Sequence, residues 1–193
     1  APTAHHQQES VMKLDKPAII AVDMLNDFIS GPLTSARSVA VVEPNVRLLD
    51  AARSAGVPVI FSNDRHIAGI DKELEIWGDH AIAGTEGAEV IPELKLSSKD
   101  FIVPKRRYSG FFQTDLDILL RELGVKTVIM TGLHTHMCVR HTSADAFQLG
   151  YKVCVAKECT DAFTEEEYVS GLKYLKMCYG AEAYTNDQLI AMF

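Results

Sequence analysis

The 193-residue chain carries a few side chains whose type and spacing suit chemistry, and Cys138 is the first of them. It follows an apolar run and the loop Gly132-Leu133-His134-Thr135-His136-Met137, and it opens the next helical pattern. A thiol at a helix N-terminus meets free N–H groups and the positive end of the dipole, which favour a thiolate. The same N–H groups suit the oxyanion of acyl transfer. The bland alternative is an inert buried thiol, because free cysteines are among the most buried residues. Asp23 closes the run Pro17 to Asp23 (PAIIAVD); a carboxylate there is either a turn-former or a functional group with a shifted pKa. Asp64-x-His66, followed by His80, offers two imidazoles and a carboxylate, a set that suits zinc, manganese or iron(II), or else a surface histidine pair beside an Asx turn. His134, His136 and His141 make a Cys–His dyad with Cys138 conceivable. Lys105, taken alone, reads as a solvated surface lysine.

The elements that must position these residues alternate between strand and helix. Strands are expected at Pro17 to Asp23, Val57 to Ser62, Phe101 to Val103, Val125 to Thr131, Tyr151 to Ala156 and Ala181 to Thr185. Helical patterns lie between them. One starts with Pro44 in its first position and ends at Gly56. A second has Thr114 as N-cap, the stripe Leu116, Leu119, Leu120, Leu123, and Gly124 as terminator. A third runs from Cys138 to Leu149, and a fourth opens at the capping box Thr164-x-x-Glu167 and runs to about Cys178. This alternation predicts an α/β fold, a three-layer, mostly parallel open sheet with helices on both faces. Right-handed crossovers bring every strand's C-terminal end to one edge, where ligands bind in such sheets. Asp23, Asp64 and the segment His134 to Cys138 all follow strands and therefore meet at that edge.

Composition narrows the function classes. Lys and Arg number 19 against 26 Asp and Glu, a net charge of −7, so no basic stripe is available for nucleic acid. The dense basic run Lys105-Arg106-Arg107 is too short to serve as one. No apolar run reaches the length of a membrane span. The four cysteines, Cys138, Cys154, Cys159 and Cys178, show no C-x-x-C spacing; they read as reduced thiols, and the expected location is cytoplasmic. Residues 1–15 read as a flexible N-terminal extension, with His5-His6 in a polar tail, and 16–193 as a single domain. Dinucleotide, P-loop and serine-elbow motifs are absent.

Three segments together resemble the isochorismatase-like cysteine hydrolases, a family that includes nicotinamidases and N-carbamoylsarcosine amidases: AIIAVDMLNDF (Ala18 to Phe28), VPKRRYSGFFQTDLD (Val103 to Asp117) and GLHTHMCVRHTSADA (Gly132 to Ala146). The resemblance runs from about Lys16 to Tyr184. It implies a triad with Cys138 as nucleophile, Asp23 as base and Lys105 as the orienting cation. It also implies a cis peptide before His134, with the N–H groups of His134 and Cys138 as the oxyanion hole. In the nicotinamidase branch, Asp64-x-His66 and Trp77-x-x-His80 match a metal site, which assigns Asp64, His66 and His80 to one divalent ion, zinc first and manganese or iron as alternatives. Phe28 and Trp77 are the implied pocket walls. The implied activity is hydrolysis of a small carboxamide with release of ammonia through a thioester, and a homo-oligomer is implied as well. The chain reads Trp77-Gly78-Asp79-His80-Ala81 where nicotinamidases usually have W-P-x-H-C, and His136 stands where an acid is common. A ureido substrate such as N-carbamoylsarcosine therefore stays open beside nicotinamide; isochorismate cleavage, a non-catalytic binding protein and a thiol redox sensor using Cys138 with Cys159 complete the alternatives.

Overall fold

The computed structural model describes residues 12–193; His5-His6 lie outside them. Six strands form one sheet: β1 (Pro17–Val22), β2 (Val59–Asp64), β3 (Phe101–Lys105), β4 (Thr127–Leu133), β5 (Lys152–Asp161) and β6 (Glu182–Tyr184). Their spatial order is β3-β2-β1-β4-β5-β6 and every pairing is parallel. The helices are α1 (Asn26–Ile29), α2 (Ala36–Ala40), α3 (Val42–Ser54), α4 (Glu73–Trp77), α5 (Leu116–Glu122), α6 (Cys138–Gln148), α7 (Glu165–Tyr179) and α8 (Asn186–Ala191). None of them is long and apolar enough to cross a membrane.

The alternation of side chains along each strand divides the core in two. Ile19, Ala21, Val59, Phe61 and Ile129 pack with Leu48 and Leu49 of α3 and Leu189 of α8. Ala18, Ile20, Val22, Ile60, Val128 and Met130 face the opposite way, onto Leu116 and Leu120 of α5, Val139 and Ala146 of α6, and Leu175 of α7. A strand covered on both faces can be apolar without interruption, and that is why β1 reads as an unbroken hydrophobic run. Cys159 belongs to the first of these layers and Cys138 to the second, so a Cys138–Cys159 redox pair is ruled out by the intervening sheet.

The strands extend further toward the site than the apolar runs suggest. β2 and β3 continue in register through Asn63↔Pro104 to Asp64↔Lys105, and β4 reaches Leu133. Backbone pairing carries Asn63, Asp64 and Lys105, polar residues that periodicity cannot detect. Lys105 is thus the last residue of β3 rather than a residue after it. β5 runs past Lys157 and Glu158 to Asp161, with a register irregularity opposite Met130 and Gly132. Two helix starts also differ from expectation. Helix α3 begins at Val42, so Pro44 is its third residue, still in the first turn where a missing N–H costs nothing. The N-cap position of α5 is Asp115, one residue later than expected, yet Thr114 still supplies the side-chain cap: its hydroxyl accepts from the Leu116 N–H at 3.3 Å and donates to the Gly110 carbonyl at 2.5 Å. Helix α8 opens with a capping box, Thr185 to Gln188, the same signal as Thr164 to Glu167.

The sheet order reverses between β1 and β4, the place where open α/β sheets form a ligand crevice. Gly132 makes the two strands' ends fit. Its φ is +95°, and a Cβ there would lie 2.0 Å from the Val22 carbonyl oxygen. Gly132→Ala should therefore destabilise the fold by about 3 kcal/mol or more, from strained backbone and overpacking combined. Urea unfolding measures this, and an unchanged midpoint would contradict the close approach of β1 and β4.

Candidate active site and metal cluster

Asp23, Asp64 and Lys105 sit where β1, β2 and β3 end. Asp23 is the first residue beyond β1, with φ at +52° in the left-handed region that few side chains other than Asn and Asp adopt. Its N–H donates to the Ser62 carbonyl at 3.0 Å, and its Oδ1 accepts from the Asp64 N–H at 2.8 Å. These two bonds tie the turn after β1 to the end of β2. The chain after β4 turns through a cis Leu133–His134 peptide into α6. The loop is pinned by Thr135 N–H to the Asp161 carbonyl at 2.9 Å and by the paired hydroxyls of Thr135 and Thr160 at 2.6 Å. Cys138 is the first residue of α6. Among the described residues, no acceptor takes up the N–H of His134 or of Cys138, which leaves both donors free for a ligand oxygen.

Lys105 joins the two halves. Its Nζ lies 2.5 Å from Asp64 Oδ1, 3.2 Å from Asp23 Oδ2 and 3.4 Å from Cys138 Sγ, and it donates to the Arg107 carbonyl at 3.0 Å. The lysine is not at the surface, as its type alone suggested; it is 1% exposed. Burial sets the direction of the shift at Asp23 and Cys138, and Lys105 opposes it at both. Burial works against the Lys105 charge, but Asp23, Asp64 and Cys138 outweigh it and hold the ammonium protonated. Burial and the neighbouring Asp64 charge push Asp23 up to about 7, against the opposing pull of Lys105. Burial also raises the Cys138 thiol, with Lys105 opposing and both carboxylates adding to the rise. The resting sulfur is therefore a thiol next to a carboxylate able to take its proton near neutral pH. The Cys–His dyad is not formed: among the described residues no histidine bonds the sulfur. His136 instead lies 3.0 Å from Glu167, and His141 bonds the Met137 carbonyl.

On the other side of Asp64 lies a second group. Asp64, His66, Glu73 and His80 are all buried, with one ligand atom from each within 4.8 Å of the others. His66 Nε2 is 3.5 Å from Asp64 Oδ2 and 3.4 Å from Glu73 Oε2, and His80 Nε2 is 3.6 Å from Asp64 Oδ2. The donor set fits a divalent cation: His66 Nε2 and Glu73 Oε1 are buried with no hydrogen-bond partner, and two carboxylates face two imidazoles. Without such an ion, burial of His66 is overridden by Asp64 and Glu73, and its pKa rises to about 10, a proton taking up the charge a cation would balance. Glu73 carries no sequence signal, since it stands in the acidic stretch Asp71-Lys72-Glu73-Leu74-Glu75; only its burial at the start of α4 marks it. His80 Nδ1 donates to the Gly78 carbonyl at 2.8 Å. The loop that carries it is clipped by Asp27, which accepts from the Ala81 N–H at 2.8 Å and packs against Gly87, where no Cβ would fit.

A cavity opens onto both groups. Phe28, Trp77, Tyr108, His134, Met137 and Phe163 surround the mouth of Cys138, and Asp64, Glu73 and His80 line the same space. Phe28 stands edge-on to His80, and Trp77 Nε1 donates to the Tyr108 hydroxyl at 3.2 Å. Among the described residues, no lysine or arginine lines the cavity. His134 is kept neutral by burial and by His136, its pKa falling to about 4. Six of the nine residues singled out from sequence, Phe28, Asp64, Trp77, His80, His134 and Cys138, line this space together with Glu73, Tyr108 and Phe163; Asp23, Lys105 and His66 stand behind them, in contact with Asp64 or with one another.

Three relatives set this arrangement in context. The structure of N-carbamoylsarcosine amidase from Thermoplasma acidophilum is 38% identical, with a TM-score of 0.83, covering 91% of this chain and 98% of that one. The pyrazinamidase of Pyrococcus horikoshii, solved in complex with zinc, is 26% identical with a TM-score of 0.81, covering 89% and 99%. A protein of Arabidopsis thaliana named as a probable inactive nicotinamidase is 32% identical over 175 residues, 82% of this chain and 87% of its own length. The family model described as the isochorismatase domain matches residues 17–188, from the first residue of β1 into α8. With nearly all of the sheet, its helices and the whole cavity inside that match, the chain belongs to the isochorismatase family.

Proposed function

We propose that this protein is a cysteine-dependent amidohydrolase that cleaves the C–N bond of a small carboxamide and releases ammonia through a thioester on Cys138, with a nicotinamide-like amide as the first substrate to test. The observation that carries the reading is the buried contact set of Lys105 with Asp23, Asp64 and Cys138 at the mouth of an aromatic cavity. Family membership alone would not suffice, given a relative named as inactive. A cavity walled by aromatic side chains and without a cationic one favours a planar, uncharged amide. The second reading, a ureido compound, is favoured by the likeness to an N-carbamoylsarcosine amidase at 38% identity.

In the proposed mechanism Asp23 takes the thiol proton and the Cys138 sulfur attacks the carboxamide carbon. The oxyanion of the tetrahedral intermediate is received by the free N–H groups of His134 and Cys138, each such donor being worth about 3–4 kcal/mol in the barrier. Asp23 returns its proton to the leaving nitrogen and ammonia departs. Asp23 then removes a proton from water as it attacks the thioester, which releases the acid and restores the thiol. A carboxyl near 7 suits both directions of transfer. Lys105 holds Asp23 in place and tempers the negative charge that builds on carboxylate and sulfur. Asp64, His66, Glu73 and His80 would hold a divalent ion, zinc first and manganese or iron(II) as alternatives, and when bound it supplies an electrophilic anchor for a substrate lone pair.

Two outcomes follow. Cys138→Ala should lower ammonia release from nicotinamide, pyrazinamide or a ureido compound by about 10⁴-fold or more, the scale on which loss of a nucleophile acts. Its metal content by elemental analysis should match that of the unaltered protein. Turnover surviving that substitution would exclude the thiol route. Removing the metal with a chelator should raise KM, while the rate at which iodoacetamide alkylates Cys138 persists. A chelated protein with unchanged KM would show that the ion does not hold the substrate.

A further inference from the structure

Asp71 belongs to none of the motifs that point to the site, yet its carboxylate is fully buried against one of the cluster's histidines. Asp71 Oδ2 lies 2.8 Å from His66 Nδ1. The other face of the carboxylate is gripped by Arg106, whose Nη2 donates to Oδ1 at 2.6 Å and whose Nε lies 3.1 Å and 3.2 Å from the two oxygens. The backbone is fixed as well: Asp71 N–H donates to the Ile67 carbonyl at 3.2 Å, and the Asp71 carbonyl accepts from Leu74 N–H at 3.1 Å. The turn from His66 to the start of α4, where Glu73 stands, is therefore built around this residue.

We propose that Asp71 is a positioning residue for the metal cluster, holding His66 as the Nδ1–H tautomer so that its Nε2 lone pair faces Asp64, Glu73 and His80, with Arg106 anchoring the carboxylate. The inference rests on the metal-binding reading above. An imidazole presents one lone pair when neutral, and the partner of the other nitrogen decides which. A carboxylate partner also makes the ligating nitrogen a better donor and stops the ring from turning. The His66 backbone is already clamped, its N–H donating to the Ala81 carbonyl and its carbonyl accepting from the Ala83 N–H, both at 2.8 Å. Ring rotation is the freedom left, and Asp71 removes it. Arg106 immediately follows Lys105 at the end of β3, so one strand terminus sends an ammonium to the cysteine and a guanidinium to the histidine support. The guanidinium is bidentate and half-exposed; it satisfies a buried carboxylate without itself being buried.

The test is zinc affinity, measured by competition with a chromogenic chelator, together with the visible absorption of the cobalt(II)-loaded protein. Asp71→Ala should bind zinc about 10- to 100-fold more weakly, the usual loss on removing such a partner. Its cobalt bands should change shape. Asp71→Asn, whose carbonyl oxygen still accepts from Nδ1–H although its NH2 then meets the Arg106 donors, should recover part of the affinity. Zinc affinity and cobalt bands in Asp71→Ala indistinguishable from those of the unaltered protein would overturn the proposal, as would an Asn variant no better than Ala. If Asp71→Ala does not fold, Arg106→Met carries the test from the half-exposed end: weakened zinc binding with altered cobalt bands supports the proposal, and no change in either overturns it. An unaltered protein that binds neither ion would defeat the metal reading itself and this inference with it. Binding that is insensitive to Asp71 would defeat the inference alone.

Discussion

A fully buried ammonium is the constraint on which the rest of the site depends. Taking Lys105 out of water carries a penalty of several kcal/mol, which only well-placed opposite charges can offset. Asp64 and Asp23 supply them from the ends of β2 and β1, the next two strands in the order β3-β2-β1. A parallel sheet is what makes this possible, because it brings all three C-terminal ends to one edge. The penalty also explains why the strands are pinned so closely there, through the Asp64 N–H to Asp23 Oδ1 and the paired register of Asp64 with Lys105. Loosening any one of them would leave a charge in the interior without its partner.

Asp64 is the hinge between two chemistries. One oxygen faces Lys105 and, through it, the sulfur; the other faces His66 and His80. The proposed nucleophile and the proposed metal cluster are therefore one electrostatic unit divided by a single carboxylate. The cavity above them is lined by both halves, so one small molecule can touch the thiol and the ligand cluster together. That is the arrangement catalysis asks for, with charges fixed before the substrate arrives rather than recruited by it.

Much of this was legible in the residues. The alternation of apolar runs and helical stripes specified the α/β class, and Cys138, Asp23 and Asp64 followed from the rule that strand ends share an edge. Lys105 was not legible in isolation, since a lysine in a basic run reads as solvated; only the resemblance of its segment moved it inside. β2, β3 and β4 run about two residues past the expected ends, to Asp64, Lys105 and Leu133, because the backbone pairing that carries Asn63-Asp64, Pro104-Lys105 and Gly132 leaves no hydropathic trace. Glu73 and Asp71 were hidden for a different reason. Both lie in an acidic segment that looks like a solvated face, and what buries them is the packing of a loop, a tertiary fact with no local signature. Helix α8 lies outside the expected elements although Thr185 and Gln188 spell the same capping signal as Thr164 and Glu167.

Covalent capture of an acyl group by one sulfur is the central step of the proposed reaction. Rapid-quench mass spectrometry of the protein mixed with its amide tests that most directly. It should find, on the peptide containing Cys138 and on no other, a hydroxylamine-labile adduct with the mass of the substrate less ammonia. Hydrolysis proceeding with Cys138 unmodified at every quench time, or with the adduct on another side chain, would contradict it.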